Sequence, residues 1–332
     1  QAIPESSSSE MPSVPTEPPK EVTKLEDKSV VQKEPPKEVA EQLPKSSSDC
    51  DLTPSPRQFS NTPYYTGPLV DNHFHMPSIG QVHEGLAGEP ILDENIARSD
   101  IICLFDKENI KNAFGFYLIL SSLKEESLQS IREIERQYAG RIIPFLVLAS
   151  HETALEPPQV EEVMNSNKGL FKGYGEVALY FELYNNMSPN DPLFLELYKV
   201  ADRHNLIVMM HPIATQQQAL EQALRDYPNV VFLFHGWEMA NWATALLSKY
   251  PNAHYSLDAD LFGDSGFFYN AGNKENFSIR FKQNWQNTLN KTVGSWKSKI
   301  EQYPDQFLWG TDRGGFLWQY DSGVGALLEE FS

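Results

Sequence analysis

Residues 206–235 read LIVMMHPIATQQQALEQALRDYPNVVFLFH. A short, nearly continuous apolar run at 206–211 is followed by an amphipathic stretch at 215–226, opened by the start signal Thr215, and then by a second apolar run at 230–235. Apolar runs of this length suit strands buried on both faces, the condition of parallel strands joined by helices. Each run ends in a histidine, His211 and His235.

The same unit repeats outward in both directions. Further apolar runs lie at 69–76 (LVDNHFHM), 114–120, 142–148, 171–177, 253–259 and 307–312 (FLWGTD), with helix-like stretches at 124–139, 156–167, 189–203 (entered at Ser188-Pro189), 239–249 and 276–302. Eight strands alternating with helices in this length predict an α/β (β/α)8 barrel, a TIM barrel, typically of ~250 residues. An open doubly wound sheet is the competing architecture, but it usually carries a glycine-rich first turn, which is missing here. The stretch 324–331 supplies a short closing helix.

Before the first strand the composition changes. Residues 1–58 contain no aromatic residue, are dominated by Pro, Ser, Glu, Lys and Val, and repeat EPPKEV at 17–22 and 34–39. Such a segment cannot bury enough apolar surface to offset the entropy of ordering. The expected organisation is a disordered Pro/Ser-rich tail or linker at 1–62 and one catalytic domain at 63–332. A long stalk of this kind is common in exported proteins, which favours an extracytoplasmic location over the cytoplasm.

Charge and cysteine usage exclude several classes. Asp and Glu total 45 against 27 Lys and Arg, a formal charge of −18. That argues against nucleic-acid partners, which need clustered cations. No apolar stretch reaches the ~20 residues of a membrane span. With only Cys50 and Cys103, neither a disulfide scaffold nor a cysteine-rich zinc module is available. A small-molecule substrate is the expected partner, and a homo-oligomer is compatible with the composition.

The chemistry gathers at strand ends. His73 and His75, two apart on a strand, face the same side, and Asp71 precedes them on that face. Glu176 ends the fourth run, His211 the fifth, His235 the sixth and Asp312 the eighth. All would meet at the barrel face where such enzymes keep their active sites. Four imidazoles and two carboxylates suit Zn²⁺ or a similar divalent ion, Mn²⁺ included. A lone HxH pair or a single strand-end histidine is usually structural. It is the joint pattern over five strands that points to a metal. Arg313, Trp237 and Asp258, at the same face, are expected substrate contacts, with Asp258 also suited to support the ligands from behind. The loop at 261–277, rich in Gly, Asn and Phe, is a candidate lid.

VDNHFHMP (70–77), YGEVAL (174–179), VMMHP (208–212), FLFHG (232–236) and WGTDR (309–313) together resemble the amidohydrolase superfamily, closest to its amidohydrolase-related hydrolases and decarboxylases, over roughly 68–320. The resemblance implies a metal held by His73, His75 and Asp312, a second by His211 and His235, and Glu176 in the bridging position. In one-metal members His211 joins the first pair and His235 becomes catalytic. TatD-type deoxyribonucleases are also similar. Their pattern continues Gly-Glu-Ile-Gly-Leu-Asp, however, whereas Val177-Ala178-Leu179-Tyr180 follows Glu176, which argues against a nuclease. The implied function is cleavage of an amide, ester or lactone bond of a small organic substrate by metal-activated water, with Asp312 taking the water's proton. The alternatives are non-oxidative decarboxylation of an aromatic acid, or a barrel kept as a scaffold.

Overall fold

A computed structural model describes residues 67–76, 98–149, 157–180, 184, 187–258 and 274–314. Within them, the side chains of 98–100, 104, 107, 313 and several of 274–289 lie outside the description. The Pro/Ser-rich segment, the 261–277 loop up to residue 273 and the stretch 324–331 also lie outside the described residues.

The strands are β1 Leu69–His75, β2 Ile110–Leu120, β3 Ile142–Ala149, β4 Gly173–Ala178, β5 Ile207–His211, β6 Val231–Phe234, β7 Ala253–Leu257, β8 Phe307–Trp309 and β9 Arg313–Gly314. Between them run α1 Arg98–Lys107, α2 Lys124–Gln137, α3 Pro157–Ser166, α4 Pro192–His204, α5 Gln217–Asp226, α6 Ala243–Leu247 and α7 Lys274–Gln302. Every pairing is parallel, in the order β8-β7-β6-β5-β4-β3-β2-β1-β9. The expected TIM barrel is present. No helix among the described residues is long and apolar enough to cross a membrane.

The eighth strand is where the ring closes, and it is broken. β8 pairs with β7 up to Leu257↔Trp309, whereas β9 pairs with β1 at Phe74↔Arg313. The backbone hands its bonds over in between: Gly310 N–H donates to Leu257 O at 2.9 Å and Asp312 N–H to His73 O at 2.8 Å. Asp312 itself is left-handed, at φ 58°. The continuous strand expected at 307–312 is therefore two short ones, with Asp312 at the turn between them.

Strand alternation sorts the side chains. Phe116 of β2, Phe145 of β3, Met209 of β5 and Leu233 of β6 form a small cluster of their own, with Phe114, Ile143 and Ile207 against it. Their neighbours Tyr117, Leu146, Val208, Met210, Phe232 and Phe234 belong to the large cluster shared with the helices. The small cluster is the barrel interior, and the histidines ending β1, β5 and β6 share its parity.

The helices show ordinary signals, some displaced from the expected ones. α4 is capped by the Asp191 carboxylate, which accepts from Leu193 N–H, with Pro192 in its first turn. Ser188-Pro189 lies in the turn just before it. Phe194, Leu197, Tyr198 and Ala201 are buried at i, i+3, i+4 and i+7. Likewise α5 begins at Gln217 rather than Thr215, and α6 is preceded by the 3₁₀ turn Trp237–Asn241 instead of forming one helix over 239–249. α1 was not expected from its sequence.

Candidate metal centre

Strict alternation would point Glu176 outward with Tyr174, which is buried in the outer core. A register shift between Tyr174 and Val177 reverses this. Gly175 makes the turn at φ 139°, a conformation that disfavours any side chain. A Cβ there would lie 2.5 Å from Met209 O. The bulge turns the Glu176 carboxylate into the barrel.

There its two oxygens serve two groups. Oε2 lies 3.4 Å from His73 Nε2 and 3.2 Å from His75 Nε2. Those nitrogens are 3.1 Å apart, and Asp312 Oδ1 is 3.2 Å from the first and 3.1 Å from the second. Ligands held ~2.0–2.2 Å from a tetrahedral Zn²⁺ stand about 3.3–3.6 Å from one another. The donor spacings of this first group sit at or slightly under that value. Oε1 lies 2.6 Å from His235 Nε2 and 3.6 Å from His211 Nδ1, completing a second, three-residue group. Glu176 belongs to both.

The electrostatics are those of a cation site. Burial disfavours charge on His73, but Asp312 and the bonds to Asp258 and Glu176 outweigh it and raise its pKa to about 10. His235 is likewise raised well above the usual imidazole value, burial being overcome by Glu176 and Asp258. His75 is raised too, against burial, chiefly by Asp312 and Glu176. Burial would push Glu176 up, but His235, His211 and His73 hold it well below the carboxylate range. Protons on the imidazoles thus balance the buried carboxylates, and a divalent cation would displace those protons, so its binding tightens as pH rises. The donor set fits such an ion.

Asp258 is fully buried, in keeping with the expected support of the ligands from behind. Its Oδ2 is 2.9 Å from His73 Nδ1 and 3.5 Å from His235 Nδ1. With both Nδ1 atoms turned to this carboxylate, both Nε2 atoms face Glu176. Burial would raise the Asp258 pKa, yet the two imidazoles hold it well below the ordinary range. Asp258→Asn can keep an acceptor oxygen in the place of Oδ2, but it removes the negative charge that both ring N–H groups share. We expect a loss of roughly 10–100-fold in Zn²⁺ affinity, measured by chelator competition.

Trp237 is 52% exposed at the start of the turn after β6. The Arg313 side chain, His83, His151, Asp260 and Trp318 lie outside the described residues. His204 is bonded to Glu161 at 2.7 Å, in the α3–α4 layer. Two further residues, absent from the strand-end pattern, flank His211. Glu238 reaches His211 Nε2 with Oε2 at 3.3 Å, and Tyr180 packs edge-on against the same ring, centroids 4.5 Å apart. An acid three residues past a strand-end histidine was the available signal for Glu238.

The sequence profile of the amidohydrolase family matches residues 122–329. The chain belongs to the amidohydrolase family. This is an enzyme family. Among solved structures, a putative 2-pyrone-4,6-dicarboxylic acid hydrolase from Pseudomonas putida is similar at 12% identity and TM-score 0.53, over 80% of this chain and 90% of that one. An amidohydrolase from Burkholderia multivorans with bound zinc gives 12% and 0.53, over 80% and 91%. A probable 2-pyrone-4,6-dicarboxylic acid hydrolase from Acinetobacter baumannii with citric acid bound gives 13% and 0.51, over 79% and 91%. At these identities the likeness concerns the fold. Comparison with curated proteins gives no significant match.

Proposed function

We propose that this amidohydrolase-family chain is a metal-dependent hydrolase holding two divalent cations, Zn²⁺ or Mn²⁺, and cleaving an amide, ester or lactone bond of a small organic substrate. The observation that carries the reading is the Glu176 carboxylate, one oxygen in each ligand group. His73, His75 and Asp312 would hold the first ion, His211 and His235 the second, with Glu176 between. When bound, the ions supply Lewis acidity, acidifying water and polarising the scissile carbonyl.

The chain's own groups do the rest. Asp312 accepts the attacking water's proton on its carboxylate and returns it to the leaving group. Asp258 keeps His73 and His235 in the tautomer that presents Nε2. Trp237 and Arg313, both on segments at the mouth, are proposed to meet the substrate. The formal charge of −18 is in keeping with a small substrate and no nucleic acid.

The test is metal content per chain after purification without chelators, for wild type beside Glu176→Gln. We expect two equivalents falling to about one, with loss of hydrolysis across a panel of aryl esters, anilides and lactones. One equivalent in both proteins would overturn the two-cation reading and make His235 the catalytic group of a one-cation enzyme. Release of carbon dioxide from aromatic acids would then be the assay to run. No uptake of offered Zn²⁺ or Mn²⁺ would leave the barrel a scaffold.

A further inference from the structure

The two ligand groups are built unequally. The first has four donors, and His73, its most buried imidazole, is braced by the fully buried Asp258. The second has three, and His211 presents Nδ1, not Nε2, to Glu176. A neutral imidazole carries its proton on one nitrogen only. For Nδ1 to offer a lone pair, the proton must sit on Nε2, a tautomer favoured by an acceptor facing Nε2.

Glu238 is that acceptor, with Oε2 3.3 Å from His211 Nε2. It comes from the 3₁₀ turn Trp237–Asn241 directly after β6, so the segment following His235 also orients the histidine of the neighbouring strand. Gly236 lets it approach. Its φ is 101°, and a Cβ there would stand 2.6 Å from His211 Nε2 and 3.1 Å from Glu238 Oε2. The edge of Tyr180 and the ring of His235, whose centroid is 4.3 Å away, confine the imidazole from two other sides. Glu238 cannot join the second group as a ligand, because it touches the opposite nitrogen from the one that faces Glu176.

We propose that Glu238 is the positioning residue of the second cation site: by holding the proton on His211 Nε2 it presents Nδ1 to the ion, so the second ion's affinity, and not the first's, depends on it. This rests on the two-cation reading above. Glu238 is at the site's edge, its side chain 29% exposed against 9% for Glu176, so replacing it tests the hydrogen bond without emptying the core.

The experiment is a stepwise Zn²⁺ titration of the full chain against a competing chelator, for wild type, Glu238→Gln and Glu238→Ala. It is paired with long-range ¹H–¹⁵N spectra of the histidine rings in the proteins loaded only through the first Zn²⁺ step. The expected result is two steps in wild type and a second step weakened roughly 10–100-fold in the Ala variant, with the first step within about twofold. The Gln variant, which keeps an acceptor oxygen, should recover most of the second step. The His211 resonances should show the proton on Nε2 in wild type and lose that pattern in the Ala variant. Equal weakening of both steps, or an unmoved second step with an unmoved His211 tautomer, would overturn the inference while leaving the two-cation hydrolase standing. A single step in wild type would overturn the two-cation reading itself, and this inference with it.

Discussion

Asp312→Asn is expected to lower kcat by about 10²–10⁴, the range that a positioned general acid–base group contributes, with little change in fold. The substitution is a clean probe because Asn tolerates the left-handed conformation that Asp312 holds at φ 58°. Its backbone N–H would keep the bond to His73 O. What disappears is the charge and basicity of the carboxylate, whose Oδ1 stands 3.1 Å from His75 Nε2 and 3.2 Å from His73 Nε2. The same change removes an anionic donor from the first group, so the assay must run at saturating Zn²⁺ or Mn²⁺, with metal content measured in parallel. A kcat within threefold of wild type on the ester, anilide and lactone panel would move the proton-transfer role elsewhere. A fall in kcat with restored metal content separates catalysis from metal binding, which the ligand geometry alone does not.

The sequence showed the strand ends plainly, because a run such as VVFLFH places its last residue without knowledge of the rest. The histidines of β1 and β5 accordingly lie at their strand ends and His235 directly follows β6, whereas Asp312 lies in the break between β8 and β9. The orientation of Glu176 is a different matter. Counting by twos from Tyr174 points it outward, and only the bulge at Gly175 turns it in. A bulge depends on the register with β5, a long-range property. Asp258 can be assigned to a face, but substrate contact and support from behind stay open in the sequence. Whether a strand-end acid meets substrate or lies beneath an imidazole is decided by His73 and His235, far away in sequence. Glu238 escaped for the same reason, since its partner His211 belongs to the preceding strand. The break in strand eight was also hidden, because FLWGTD reads as one apolar run, and the exchange of partners from β7 to β1 is visible only once the barrel closes.

That closure carries the second large effect. Asp71→Ala is expected to destabilise the protein by about 3–5 kcal/mol, through donors left buried without an acceptor. Asp71 is fully buried, and it latches the first strand to the eighth. Its Oδ1 accepts from His73 N–H and from Thr311 N–H, each at 3.0 Å, and its Oδ2 accepts from the Thr311 hydroxyl at 2.6 Å. In the Ala variant the hydroxyl can turn toward His73 O, 3.4 Å away, but the two backbone N–H groups lose the oxygen they share. Each costs about 1–3 kcal/mol when stranded, and a cavity the size of a carboxylate adds to that. Asp71→Asn retains one acceptor oxygen and should lose less than half as much. Denaturant unfolding of the metal-loaded proteins measures both, and an Ala variant within 1 kcal/mol of wild type would refute the latch. The effect should reach beyond stability, because Thr311 immediately precedes Asp312, and His73 lies two residues from Asp71. One carboxylate thus spaces two donors of the first group. Its removal should therefore weaken Zn²⁺ binding at temperatures where the barrel is still folded, a loss that a general weakening of the core would not produce.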